Sequence, residues 1–189
     1  PAATGKAIAG GLSADPETAA RQYIARNQDL FGLDEKAVST MERVLVKPIG
    51  AGTVVLLRQR FGDYPAGFDG QVAVLVSNGS VVRVTSSLSR DARAPQPATL
   101  DAQQAVAAAL ADAGLAANQV GTADVRQVAV PTPSDGPRAA FAVSFSSTDD
   151  HGHPASYTTY IDARTGRVIV REDQVDFDSD NPQWAVFPA

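Results

Sequence analysis

The chain contains no cysteine and only two histidines among its 189 residues. Without cysteine it has neither a disulfide framework nor a thiolate metal site, and two histidines exclude a zinc site built from three. Long hydrophobic runs are missing too, because no apolar stretch approaches the ~20 residues that a membrane-spanning helix needs. The net charge of −5 comes without a stripe of lysine and arginine, so the composition argues against nucleic acid as a partner.

The sequence motifs of common enzyme classes are also missing. There is no HExxH pair, no GxSxG serine, no phosphate loop and no GxGxxG stretch. The two histidines, His151 and His153, lie beside two aspartates in a polar segment that also holds glycine and proline. A solvated hairpin loop is favoured there over a metal site. We therefore predict that the chain itself has no catalytic residues.

A short acidic repeat near the C-terminus has part of the pattern of a calcium site. Asp176, Asp178 and Asp180 alternate like the first half of a calcium-binding loop. However, Asn181 stands where the sharp turn needs glycine, and Phe187 stands where the loop needs its final glutamate. An acidic connector is the favoured interpretation, so we expect neither a metal nor another cofactor in this chain.

What the sequence does contain is alternation, most clearly in residues 53–88. Three segments rich in valine and leucine are separated by two turn signals, the second of which is Asn78-Gly79, the pair typical of a two-residue hairpin turn. Apolar side chains are predicted on one face of the two strands that flank this turn: Val72, Val74, Val76, Val82 and Val84. A period of two with one apolar face indicates an antiparallel sheet that needs a cover.

The preceding residues supply that cover. Residues 1–13 are small and rich in turn formers, and we interpret them as a weakly ordered lead-in. Asp15-Pro16-Glu17 then predicts the start of a helix that runs to about Phe31 and stops at Gly32. A strand over residues 41–47, ended by Pro48, precedes the segment described above. Residues 14–90 thus form a first predicted domain of one helix and about four antiparallel strands.

The second half repeats this plan after a linker over residues 91–98, which is rich in proline and has no apolar pattern. Thr99 or Asp101 begins a helix that Gly114 ends, and strands are predicted at 124–130, 138–147, 156–162 and 167–174. The last two strands are joined by residues 163–166, with Gly166 supplying a positive φ. Helix followed by strands, without βαβ alternation, predicts an α+β fold of two successive small domains, each a helix packed on an antiparallel sheet in a cystatin-like arrangement.

Residues 176–189 break this periodicity and are predicted to be an extended C-terminal tail. Trp184, Val186, Phe187 and Pro188 fall within its last six residues. Such side chains either fold back onto their own sheet or dock on another protein, where aromatic anchors in extended segments carry much of the binding energy. The sequence leaves both alternatives open.

The first half resembles the FTP domain, the propeptide module of fungalysin and thermolysin precursors. The matching residues are the helix end at 30–33 (LFGL), the strand end at 59–61 (QRF), the turn with Pro65, and the hairpin over residues 72–88. Phe61 stands where that family usually has tyrosine, and Tyr64-Pro65-Ala66 stands for its Val-Pro-Val step.

The second half resembles a PepSY domain, through the strand, Asp-Ala-x-Thr-Gly turn and return strand over residues 157–175. The ending at residues 181–189 (NPQWAVFPA) is similar to the end of a fungalysin-type propeptide. In order along the chain, these motifs form an FTP-like domain over 14–90, the linker, a PepSY-like domain over 99–175 and the tail.

This resemblance implies the pro-region of a secreted zinc metalloprotease, which acts as intramolecular chaperone and inhibitor of the catalytic domain and is removed by proteolysis on activation. The expected partner is the cognate catalytic domain, which would bind zinc and calcium itself. The tail is expected to cross its active-site cleft, and these residues are the expected protease-binding set: Asn181, Pro182, Trp184, Val186, Phe187, Pro188 and Ala189. The alternatives are a free-standing extracellular binding module of PepSY type and a stand-alone protease inhibitor.

Overall fold

The structure is a computed structural model that describes residues 7–148 and 154–174. Residues 175–189, which include the predicted tail and every expected protease-binding residue, lie outside the described residues, as do His151 and His153. The described part holds two four-stranded antiparallel sheets, each covered by helix on one face, which confirms the predicted α+β fold. The first domain contains α1 (Pro16–Arg26), α2 (Gln28–Phe31), α3 (Glu35–Ser39), β1 (Glu42–Ile49), β2 (Gly52–Arg58), β3 (Arg60–Phe61), β4 (Tyr64–Pro65), β5 (Gln71–Ser77) and β6 (Ser80–Ser86). The second contains α4 (Ala102–Ala113), a 3₁₀ turn (Ala117–Gln119), β7 (Asp124–Thr132), β8 (Gly136–Thr148), β9 (Pro154–Asp162) and β10 (Val168–Asp173).

Helix α1 begins as the sequence predicts, with a carboxylate oxygen of Asp15 accepting a hydrogen bond from the backbone N–H of Thr18 at 2.8 Å. The predicted single helix to Phe31 is divided, however, because Asn27 leaves the helical conformation and α2 starts after it. Gly32 ends α2 in the left-handed conformation at φ 67°. A further short helix, α3, capped by Asp34, was not predicted.

The first sheet has the strand order β1-β2-β5-β6, and its inner valines and leucines pack under α1. The hairpin turn is confirmed, since Asn78 and Gly79 both have positive φ, at 47° and 67°. The predicted position of Val82 is wrong. The register shifts between Leu75 and Val76, so Val81 pairs with Val76 and is fully buried, while Val82 has no cross-strand partner.

Strand β1 lies at the edge of this sheet and, among the described strands, pairs only with β2. Pro48 was expected to end it, but the strand runs on to Ile49, because proline is tolerated where no outer strand needs its missing N–H. Its apolar side chains stay exposed by 38% to 55% of their surface: Val44, Leu45, Val46 and Ile49.

The second sheet has the order β10-β9-β8-β7, with α4 on one face. Asp101 and Gln104 form a capping box at the start of α4, and Gly114 ends it in the left-handed conformation, as predicted. The helix stripe of alanines and Leu110 packs on the inward residues of β8 and β9, which include Phe141 and Val143.

The turn between β9 and β10 is held by a buried carboxylate. Asp162 Oδ1 accepts hydrogen bonds from the backbone N–H groups of Arg164 and Thr165 at 2.9 and 2.8 Å, and Oδ2 lies 2.9 Å from Arg138 Nε. Burial alone would raise the pKa of Asp162, but these hydrogen bonds and the Arg138 charge outweigh it and hold the pKa below its usual range.

Candidate functional site at the junction of the two domains

The segment between β2 and β5, residues 59–70, leaves the first sheet and reaches the second; we name it the junction loop. Its base is tied to the linker side by the fully buried amide of Gln59. Gln59 Nε2 donates to the Ser89 carbonyl, and Gln59 Oε1 accepts from the Ser89 N–H, both at 3.0 Å. Both hydrogen bonds of this buried amide go to the backbone of Ser89. The chain just before the linker is therefore held against the first domain.

The tip of the junction loop contacts β7 of the second sheet. The Gly67 N–H donates to the Ala129 carbonyl at 2.8 Å, and Ala66 forms a parallel bridge with Ala129. Phe61, Ala66 and Ala129 are fully buried together in one small cluster. The junction is therefore a dry apolar contact with a backbone hydrogen bond, rather than a solvated hinge.

The loop covers the face of the second sheet that α4 leaves open. That face carries Val128, Val130, Ala140, Ala142 and Tyr160. The ring of Phe68 meets the ring of Tyr160 edge to face, with centroids 5.9 Å apart at 64°. Both faces of the second sheet are thus packed, one by its own helix and the other by the first domain.

Tyr160 adds a polar bond to this contact. Its hydroxyl lies 3.1 Å from the Gly67 carbonyl and 2.9 Å from Glu172 Oε2, so its single hydrogen is shared between two acceptors. Burial, with the hydrogen bond to Glu172 adding to it, raises the pKa of Tyr160. The hydroxyl therefore remains a donor.

The two domains approach closely at Gly67. A Cβ placed on it would lie 2.5 Å from Val128 Cγ2 and 2.9 Å from Tyr160 Cε1. Real Cβ atoms do not approach other carbons this closely, so glycine is required at this position for the domains to dock as they do.

A polar groove of about 510 Å³ opens beside this contact. Its walls come from both domains: Gly67, Phe68, Asp69, Gln71, Ser87, Arg126, Thr158, Tyr160, Glu172 and Gln174. Gln174, whose N–H donates to the Ser156 carbonyl at 2.8 Å, is the last described residue before the predicted tail. The groove offers both donors and acceptors at the point where the chain leaves the second sheet, which suits the backbone of an extended peptide better than an apolar ligand.

Sequence reasoning missed the three residues that hold this junction, Gln59, Gly67 and Tyr160. Alternation along β8 and β9 places Ala142 and Tyr160 on the face opposite Phe141, and the small alanines there indicate close packing. The alternation does not identify the segment that covers this face. Gly67 in that segment lies 93 residues away from Tyr160 in the chain. Within residues 7–148 and 154–174, no group of acidic and histidine side chains is arranged to hold a metal ion.

Comparison with models of protein families gives one match, over residues 99–172, to PepSY, described as "Peptidase propeptide and YPEB domain". Residues 99–172 are a PepSY domain. The PepSY domain begins just before the capping box of α4 and ends in β10, so Tyr160 and Glu172 belong to it and the junction loop does not. PepSY domains are non-catalytic modules associated with peptidases, and they occur in propeptides and in inhibitory or binding proteins.

Among solved structures, the Bacillus megaterium YpeB C-terminal domain is similar, with a TM-score of 0.44 and 13% sequence identity. The similarity covers 90% of this chain and 69% of that one. A search of the curated proteins finds no match. In the part of the chain that the structure describes, no helix is long and apolar enough to cross a membrane.

Proposed function

We propose that this chain is the pro-region of a secreted zinc metalloprotease of the fungalysin and thermolysin type, and that it inhibits the catalytic domain and assists its folding. The PepSY domain over residues 99–172 carries the proposal, because this module occurs in peptidase propeptides. Under the proposal the first domain is an FTP module. Its support is the helix, strand and junction-loop order, and the buried Gln59 where the resemblance places its glutamine.

The tail is the proposed inhibitory segment. Residues 176–189 span up to about 45 Å when extended, at ~3.3 Å per residue. A thermolysin-type cleft favours bulky apolar groups, so Val186 and Phe187 are the proposed cleft residues, with Trp184 as a further anchor. An extended segment also pairs its backbone with a strand edge of the enzyme, which adds affinity without requiring a particular sequence.

The two sheets are proposed to support the enzyme around this segment. The edge strand β1 favours such a contact, because its outer backbone edge is covered by no described strand and its apolar side chains are exposed: Val44, Leu45, Val46 and Ile49. A specific complex is expected to bury at least ~1,200 Å² in total.

Assistance in folding follows from the same binding. A pro-region that binds the native protease and not the unfolded one shifts the equilibrium toward the folded enzyme by mass action. If it also binds the folding transition state, it speeds folding, which matters for secreted proteases that are stable for kinetic reasons.

Truncation separates the tail from the scaffold. A chain ending at Asp180 is expected to keep the unfolding curve of the full chain, because it retains both sheets and the helices packed on them. Its inhibition of the precursor's catalytic domain is expected to fall at least about tenfold, as the anchor residues are lost. Equal inhibition by the two chains would show that the tail is not the inhibitory segment.

A free-standing extracellular binding module is the second candidate, and the polar groove beside Tyr160 favours it as a preformed concave surface. The coding sequence beyond Ala189 discriminates between the two. An HExxH-containing domain there supports the pro-region, and its absence supports a binding module or a stand-alone inhibitor.

A further inference from the structure

A concave surface of about 560 Å³ in the first domain gathers positive charge, although the chain as a whole is acidic. It lies between α3, the junction loop and the linker. Four of its lining residues are cationic, namely Lys36, Arg60, Arg90 and Arg93. We name this surface the basic pocket.

Local packing fixes the position of Arg90 in the pocket. Its side-chain stem lies against Gly32, where a Cβ would come within 2.5 Å of Arg90 Cγ and 2.9 Å of Arg90 Cβ. The preceding residue, Ser89, is held by both bonds from the buried Gln59 amide. The backbone at Arg90 is therefore held in place and its side chain is partly ordered. Less side-chain entropy would be lost when a ligand binds to it.

The charge of Arg90 is not compensated by any residue that the structure describes. In the described part of the chain, neither the Arg90 guanidinium nor the Lys36 ammonium has a hydrogen-bond or ion-pair partner. The one acid in the lining, Asp34, already caps α3 by accepting from the Ala37 N–H at 2.7 Å.

The other two cations are oriented by acids. Arg60 pairs with Glu42, which also accepts from Arg58 at 2.9 Å, and Arg93 Nη2 lies 2.8 Å from Asp91 Oδ2. These pairs hold two guanidinium groups at the rim of the pocket, beside the uncompensated pair formed by Lys36 and Arg90. The arrangement has donors for an incoming carboxylate, and its four cations outnumber the one acid in the lining, Asp34.

We propose that the basic pocket binds an acidic peptide segment of a protein partner through carboxylates held by Arg90 and Lys36. Three alanines, Ala37, Ala92 and Ala94, line the pocket between the cations and supply apolar contact for the methylene groups of such a segment. The volume lies in the range of sites for small molecules, about 300–1,000 Å³, and is far larger than a single phosphate ion needs. The proposal does not require the partner to be a protease.

The test uses the full chain and a blocked tetraglutamate peptide, with blocked tetraglutamine as the neutral control. Binding is measured by calorimetry at low and high salt, with backbone amide shifts from nuclear magnetic resonance to locate the site. We expect tetraglutamate to shift the amides of α3 and the linker and to bind less tightly as salt rises, since exposed charges are screened. Tetraglutamine is expected to give no shifts there.

Two arginine variants separate a site from general electrostatic attraction. Arg90→Gln is expected to weaken tetraglutamate binding about tenfold, the loss of one charge-assisted hydrogen bond. Arg83→Gln removes the same charge from an exposed position on β6, outside the pocket, and is expected to leave binding unchanged. The unfolding curves of both variants are expected to match the wild type.

Three outcomes would overturn the proposal. Arg90→Gln could bind tetraglutamate as tightly as the wild type, or Arg83→Gln could lose as much affinity as Arg90→Gln. Inorganic phosphate, titrated over the same concentrations, could bind the pocket as tightly as tetraglutamate, which would make it a site for a free anion.

Discussion

Replacing Gly67 with alanine tests whether the two domains act as one unit. The backbone of Gly67 is outside the left-handed region, so alanine adopts it without strain and the added methyl group is the whole perturbation. That methyl group would lie 2.5 and 2.8 Å from two carbons of Val128 and 2.9 Å from Tyr160 Cε1. Both of these side chains belong to the PepSY domain, so the clash affects the contact between the two domains.

The size of the effect follows from these distances. Carbon atoms pack best at ~3.5–4.0 Å, so the junction has to open by roughly 1 Å to admit the methyl group. Overpacking of this kind costs about 1–3 kcal/mol. Opening also stretches the hydrogen bond from Gly67 N–H to Ala129 and that from the Tyr160 hydroxyl to Gly67, each worth about 1 kcal/mol. We expect Gly67→Ala to lower the free energy of unfolding by about 2–4 kcal/mol.

Urea unfolding followed by circular dichroism, with resolved amide signals from each domain, measures this effect. The wild type is expected to unfold in one transition, and Gly67→Ala in a transition of lower midpoint that separates into two if the domains uncouple. Gly121→Ala is the matched control, because a Cβ at Gly121 meets nothing within 4 Å. A Gly67→Ala curve that coincides with those of the wild type and the control would refute the close docking of the domains.

Two further predictions concern buried polar groups of the PepSY domain. The Thr159 hydroxyl is fully buried and has no hydrogen-bond partner among residues 7–148 and 154–174, so Thr159→Val is expected to raise the free energy of unfolding by about 1 kcal/mol. Thermal unfolding checks this, and a fall in that free energy would mean that the hydroxyl is bonded. Asp162→Asn is expected to lower the free energy of unfolding by about 1–3 kcal/mol at pH 7, because the side chain that bonds to the turn and to Arg138 loses its charge. Since the folded state lowers the pKa of Asp162, its contribution is complete above the unfolded pKa of ~3.9 and is lost as pH falls through the folded pKa. Denaturation curves from pH 7 to pH 2 are expected to show the gap between wild type and variant closing at the acid end, and a gap that does not depend on pH would contradict this.

The parts of the fold predicted from sequence are those with local physical causes. The helix starts at Asp15 and Asp101 and the turn at Asn78-Gly79 depend on neighbouring residues, and all three lie where they were expected. The errors arise where tertiary packing overrides a local pattern. Asn27 divides the first helix, and the sheet edge tolerates Pro48 within β1.

The junction could not be predicted for a related reason. Gly67 looks like any loop glycine, and its requirement comes from Val128 and Tyr160, which are distant in the chain. Gln59 likewise looks like a polar residue at a strand end, and its buried role depends on the backbone of Ser89. Single-sequence patterns report the period of an element but not the identity of the segment that covers it.

Inhibition of a metalloprotease is the central property proposed for this chain. The initial rate of peptide hydrolysis by the catalytic domain of the same precursor, measured at rising concentrations of the separate chain, tests that claim directly. We expect loss of activity at micromolar or lower concentration, with a one-to-one complex by size-exclusion chromatography. Full activity at that concentration, with the two proteins eluting separately, would contradict it.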